Sequence, residues 1–219
     1  MCPLSTRSLA ELPAINELIR RSKAIAMLDA ILSPEWEYRY YSFNSKWAAG
    51  EMMASMRNGS GDDYFILFNE HGAAIKGFDH ESAMSPWVKD PKAIWPGMYD
   101  GVPPEFSSFL NEPAFSMEDV TFCLWKRYAD PEWRFGVKDL PPGEDPDGSA
   151  WMLAELDGDP ATYRSFAADY YEVDLPLEVI LQVYAHLPLS DAMVQALNRE
   201  VTLESIAADV EQIGYPHPL

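Results

Sequence analysis

Residues 62–78, "DDYFILFNEHGAAIKGF", constrain the fold most. Tyr64–Phe68 is an unbroken apolar run rich in strand-forming residues, and Ala73–Phe78, apolar apart from Lys76, is the returning strand. Between them, Asn69 to Gly72 supplies the residue types that a tight turn needs. Two runs joined so closely pair antiparallel. The hairpin therefore seeds an antiparallel sheet. "EWEYRYYSF" (Glu35–Phe43), where aromatics alternate with charge, adds a strand. "DVTFCLWKR" (Asp119–Arg127) has the composition of a central strand, and "WRFGV" and "SAWMLAEL" read as two more. Residues 44–57 mix signals: Ala and Met favour a short helix, Gly50 weakens it, and "NGSG" closes the segment as a turn.

The chain on either side of this region is helical. Ser8 with Glu11 fits a capping box and Pro13 sits near a helix start. Ile15, Leu18, Ile25, Leu28 and Leu32 follow at helical spacing, and Pro34 ends the pattern. Asp159 caps a helix from Pro160, with Tyr163, Phe166, Ala167 and Tyr170 inward. Leu177, Ile180, Leu181 and Tyr184 repeat that spacing. Ser190 opens a further helix. Thr202 caps the last, with Leu203, Ile206, Ala207 and Val210 inward and Gly214 at its end. Strands do not alternate with helices, so the class is α+β rather than α/β. The order is an N-terminal helix, a mainly antiparallel sheet and a C-terminal acidic helical part. Residues 1–219 read as one domain, divisible into a sheet-containing part (1–158) and a helical part (159–219).

With 219 residues, 47% of them hydrophobic, the chain can bury a sizeable core. No stretch approaches the roughly 20 apolar residues of a membrane span, and the N-terminus lacks the layout of a secretory signal. Cys2 and Cys123 make no disulfide framework, which points to a reducing cytoplasm. The net charge is -19, and residues 139–219 hold 16 Asp and Glu against only Arg164 and Arg199. Such a surface repels phosphate backbones and anionic lipid, so neither nucleic acid nor membrane is the expected partner. It suits solubility, or steering toward a basic protein partner.

The one cluster of catalytic residue types is Asp79-His80-Glu81. If the strand continued through it, Asp79 and Glu81 would share one face and His80 would take the other. That leaves a carboxylate pair, able to act as acid and base if burial splits their pKa values. Its structural counterpart is a capped turn with one histidine hydrogen bond. His71 lies in the hairpin turn, and no histidine spacing is that of a metal site. His186 falls at a helix end, where the dipole favours imidazolium, and His217 lies near the C-terminus. The acidic stretch from Asp145 fails as a calcium loop, with Ala150 where glycine is needed and Leu156 where Glu is needed. There is no nucleophile elbow, phosphate loop or dinucleotide fingerprint, so no cofactor and no metal is expected. Cys123 reads as inert packing. Residues 85–104 hold five prolines together with Trp87, Trp95, Tyr99 and Asp100. Aromatics beside acids can line a sugar site or a protein-binding hot spot.

"YFILFNEHGAAIKGFDHESAMSPW" and "WPGMYDGVPPEFSSFLNEPAFSMEDVTFCLW", about a quarter of the chain, resemble an uncharacterised family of bacterial cytosolic proteins. "VPPEFSSFL" is also similar to the proline–aromatic–leucine helix of toxin-immunity proteins of the yeast cell-wall-regulator-like type. There that helix precedes an antiparallel sheet; here a hairpin precedes it. The second resemblance implies an acidic protein that binds and neutralises a toxin without catalytic residues. The leading expectation is therefore a non-enzymatic binding protein, meeting a basic partner through the acidic helices or the Trp87–Tyr99 loop. The rival is a small hydrolase or metal-dependent enzyme using Asp79, His80 and Glu81, with His71 and Asp100. The third is a protein whose charge serves solubility alone.

Overall fold

The computed structural model describes residues 3–217; Cys2 lies outside them. The chain is α+β, with an N-terminal helix, an antiparallel sheet and C-terminal helices. The strands are β1 (Tyr41–Ala48), β2 (Glu51–Arg57), β3 (Asp63–Phe68), β4 (Gly72–Phe78), β5 (Phe122–Arg127) and β6 (Arg134–Phe135). They form one six-stranded sheet in the order β1-β2-β3-β4-β5-β6. The helices are α1 (Ile15–Leu32), α2 (Ser107–Leu110), α3 (Ser149–Met152), α4 (Pro160–Tyr170), α5 (Leu177–Tyr184), α6 (Asp191–Leu197) and α7 (Ala207–Ile213). Among the described residues, no helix is long and apolar enough to cross a membrane.

The chain forms two compact units, each discontinuous in sequence. The first joins the residues up to Ile15 with Ser55–Ala154; the second joins Asn16–Ala54 with the residues from Glu155 onward. The division at 158/159 expected from sequence leaves α1 and β1 with the first part. Instead they belong with the C-terminal helices, and side chains explain why. Asn198 Nδ2 donates to the Ile31 carbonyl at the end of α1 (2.9 Å), and Ser45 Oγ on β1 donates to the Gln212 carbonyl on α7 (2.7 Å).

In the first unit, β3 and β4 form the expected hairpin, with Ile66 opposite Ile75. β4 then pairs with β5, with Ile75 opposite Leu124. Every residue of β4 is buried. Lys76 within it has no exposed side-chain surface and pairs with Asp63 Oδ1 at 2.7 Å. Burial lowers the pKa of the ammonium and raises that of the carboxyl, while each partner opposes the shift in the other. One lysine in an apolar strand is tolerable because its charge has this partner. Near the N-terminus, Thr6 Oγ1 donates to Asp147 (2.5 Å) and Trp133 Nε1 donates to the Pro13 carbonyl (2.9 Å).

Four local expectations change. Residues 51–57 are β2 rather than a helix, because Gly50 at φ +77 lets the chain reverse directly after β1. Residues 36–38 form a 3₁₀ turn and β1 starts only at Tyr41. "SAWMLAEL" is α3 and a following 3₁₀ turn rather than a strand. The acids just before it decide this: Asp147 Oδ1 accepts from the Ser149 amide, and Asp145 accepts from the amides of Ala150 and Trp151. At the N-terminus, Ser8 makes no side-chain cap and only a 3₁₀ turn forms there, so α1 starts at Ile15.

Gly72 starts β4 where a Cβ would meet the Lys126 carbonyl oxygen at 2.1 Å. That neighbour is backbone held in the β4–β5 ladder, so it cannot swing away. Gly72→Ala is expected to destabilise the protein by about 2–4 kcal/mol, read as a fall in the denaturant midpoint. An unchanged midpoint would contradict this packing.

Candidate functional site

β4 ends at Phe78 and the chain turns at once, so the pleat does not reach His80. The expected split, with Asp79 and Glu81 on one face and His80 on the other, is therefore corrected. Asp79 Oδ1 accepts from the Glu81 amide (3.0 Å), and its Oδ2 accepts from Trp151 Nε1 (3.0 Å). Gly148 makes room for it: a Cβ there would sit 2.4 Å from Asp79 Oδ2. His80 turns toward Asp62, the residue before β3. Asp62 Oδ1 accepts from the His80 amide (2.8 Å) and lies 2.6 Å from Nδ1, while Asn58 Nδ2 donates to Oδ2 (2.5 Å). Burial works against ionised Asp62, but these hydrogen bonds outweigh it and lower its pKa. The hydrogen bond and charge of Asp62 in turn raise the His80 pKa.

One ligand atom each from Asp62, Asp79 and His80 lies within 4.8 Å of the others, a spacing that could hold a metal ion. All three are already hydrogen-bonded to protein groups, and Glu81 is 86% exposed, with Oε1 4.0 Å from His80 Nε2. Among the described residues, the ring of His80 contacts the carboxylates of Asp62 and Glu81. His71 lies at the opposite end of β4 and pairs with its neighbour Glu70 at 3.7 Å. His186 Nε2 donates to the Arg20 carbonyl (3.0 Å), and burial lowers its pKa, which favours neutral imidazole over the expected imidazolium. His217 lies close to the Tyr215 carbonyl (3.3 Å). Cys123 is fully buried on β5, and burial pushes its thiol pKa far up.

The Trp87–Asp100 loop divides its expected site residues. Trp95 and Asp100 line a cleft of about 420 Å³ with Lys89, Lys138 and Asp139. Lys89 Nζ lies 4.7 Å from the Trp95 ring centroid. Tyr99 is a strut whose hydroxyl donates to the Met117 carbonyl, and Trp87 stands 63% exposed. Lys92 Nζ lies 4.0 Å from the Trp87 ring centroid and 2.6 Å from Asp119, which also accepts from Trp87 Nε1. Lysines thus cover both tryptophans, a poor surface for a basic partner.

The second unit carries an arrangement that sequence reading missed. Asp29 on α1 is completely buried. Its Oδ2 accepts from the Tyr41 amide (2.6 Å) and the Tyr171 hydroxyl (2.9 Å), and its Oδ1 accepts from the Tyr163 hydroxyl (2.6 Å). Beside it, Tyr41 donates to Glu155 Oε2 at 2.8 Å. These bonds fix an aromatic cluster in which Tyr40 lies 4.8 Å from both Phe166 and Tyr170, and Tyr170 stacks on Phe166 at 13°. Tyr170 is 44% exposed instead of inward, as is Leu181 at 50%. Tyr40, Phe166 and Tyr170 form the aromatic wall of an open cleft of about 430 Å³, lined also by Glu155, Thr162, Ser165 and Asp169. Its lining holds two carboxylates and no cation. Burial raises the Glu155 pKa. The available signal was an acid inside an apolar helical run ("IAMLDAIL") and the tyrosine pairs 40–41 and 170–171.

Burial pushes the Asp29 pKa up to about 6 from 3.8, although its hydrogen bonds work the other way. The native state therefore holds this proton more tightly than the unfolded chain. The resulting contribution to stability is complete below pH 3.8 and is lost as pH rises through about 6. Asp29→Asn removes it. The stability difference between the native protein and this variant is expected to fall by about 3 kcal/mol from pH 3.5 to 7.5 in denaturant titrations. A difference independent of pH would show that Asp29 does not titrate in that range.

For His80 the native pKa is likewise raised, so the Asp62–His80 attraction stabilises fully below the unfolded histidine value and fades as pH rises through the native one. Asp62→Asn should lower the ring pKa of His80 in an NMR titration. An unmoved pKa would mean that the pair does not exist in solution.

No protein-family model, curated protein or solved structure matches this chain.

Proposed function

We propose that this chain is a non-enzymatic acidic binding protein of immunity type, whose partner is a basic protein. The observation that carries the reading is the second-unit cleft, in which aromatic faces and two carboxylates stand together without a cation. Aromatic anchors in a pocket are what binding hot spots are made of, and the acids select the sign of the partner. The surrounding sequence agrees: from Glu155 onward there are 12 Asp and Glu against two arginines. Arg164 already pairs with Asp174 at 2.6 Å. Of the two contact surfaces expected from sequence, the acidic helices are favoured over the lysine-covered Trp87–Tyr99 loop. The rival hydrolase or metal-enzyme reading keeps Asp79 and His80 and gains Asp62, but those groups hydrogen-bond into a turn and Glu81 stands in solvent.

The test is co-purification from the native host at low salt, followed by reconstitution from two purified components. The retained protein should be basic, bind one-to-one, and release as salt is raised toward about 1 M, where the Debye length shrinks to about 3 Å. If no basic protein is retained at low salt, the reading is wrong.

A further inference from the structure

We infer that the Tyr40–Phe166–Tyr170 cleft is the receptor for one arginine side chain of the basic partner. The inference rests on the proposed reading for the identity of the partner, but the site stands on its own geometry. The three rings lie with centroids 4.8–5.4 Å apart, and Phe166 and Tyr170 are nearly parallel. All three line the cleft, and Tyr170 is 44% exposed. A guanidinium is planar and weakly hydrated, so it stacks on such faces better than a compact, strongly hydrated ammonium. Its five N–H donors need acceptors around the plane. The lining provides carboxylates at Glu155 and Asp169 and hydroxyls at Thr162 and Ser165.

The site is also held in place before any ligand arrives. Glu155 Oε2 is fixed by the Tyr41 hydroxyl at 2.8 Å, and Tyr41 lies 5.2 Å from Phe166. Thr162 Oγ1 donates to Asp157 at 2.6 Å, and Ser165 Oγ donates to the Ala161 carbonyl at 3.1 Å. Tyr171, edge-on to Tyr170 at 90°, is anchored on Asp29. A guest therefore meets rings and acceptors whose ordering cost has been met by folding. The occupant follows from charge complementarity: two acids and no cation disfavour an anion, and the ring stack distinguishes arginine from lysine.

The probes are blocked tripeptides Gly-Arg-Gly, Gly-Lys-Gly and Gly-citrulline-Gly, with a neutral disaccharide as control. Amide chemical shifts of the folded full chain are followed by NMR. The arginine peptide should bind in the millimolar range and shift Tyr40, Thr162, Ser165, Asp169 and Tyr170. Lysine should bind several-fold more weakly and citrulline at least ten-fold more weakly. Asp169→Asn and Tyr170→Ala should each weaken the arginine peptide about five-fold or more, whereas Tyr170→Phe, which keeps the ring, should not. Equal binding of citrulline, or shifts produced by the sugar and not by arginine, would overturn the inference. So would shifts that map outside the cleft. The inference also falls, with the broader reading intact, if a basic protein is retained and binds Asp169→Asn and Tyr170→Ala undiminished. If the arginine peptide seats as described but no basic protein is retained, the site stands and the broader reading falls.

Discussion

The second unit depends on the carboxylate of Asp29. It lies in the half of α1 where every residue from Ala24 to Ile31 is buried, so the helix is enclosed on all sides. An acid there is costly unless its lone pairs are filled. They are filled by a backbone amide at the start of β1 and by hydroxyls from α4 and the residue just past it. The start of β1 and the α4 region are thereby tied to one atom group on α1. Take the carboxylate away and one amide and two tyrosine hydroxyls lose their acceptor, which is the more damaging half of a buried hydrogen bond. Tyr171 stands edge-on to Tyr170 and Tyr163 lies 5.7 Å from Phe166, so the buried acid and the rings of the surface cleft share one framework.

The first unit uses a similar device with the sign reversed. Lys76 places a cation in the most enclosed strand of the sheet, and Asp63 on the neighbouring strand answers it. The Phe65 and Phe78 ring centroids lie 5.6 and 5.7 Å from its Nζ. Register fixes this contact: a slip of one residue would move Lys76 to the other face and leave both charges unpaired. The pair therefore says more about which register forms than about how stable the sheet is.

What was legible in the sequence was local. The β3–β4 hairpin, the Asp159 cap on α4, the Ser190 cap on α6 and the Gly214 stop after α7 all depend on residues within a few positions of one another. Errors arose where the deciding partner lies further off or competes with composition. "SAWMLAEL" looks like a strand until Asp145, five and six residues earlier, accepts its first amides. Asp79-His80-Glu81 stands out in the sequence, but the residue that defines His80 is Asp62, 18 positions away. Asp29 meets Tyr163 and Tyr171 across 134 and 142 residues, beyond any periodicity. Helical spacing also placed Tyr170 and Leu181 inward, since a period gives a face but not the width of what covers it.

The chain treats its exposed aromatics in two ways. Around Trp87 and Trp95 it supplies its own cations: Lys92 and Lys89 occupy the ring faces, and the Lys92 charge is answered by Asp119. An aromatic face covered from within has little left to offer a cation from outside. Around Tyr40, Phe166 and Tyr170 the arrangement runs the other way, because the rim carries Glu155 and Asp169 and the closest arginine on α4 is engaged by Asp174. A net charge alone gives attraction without address. Ordered rings beside the fixed Glu155 carboxylate and the Asp169 carboxylate would turn that attraction into a preference for one geometry of cation, and it is this conversion, more than the -19 itself, that would let an acidic surface choose among basic partners.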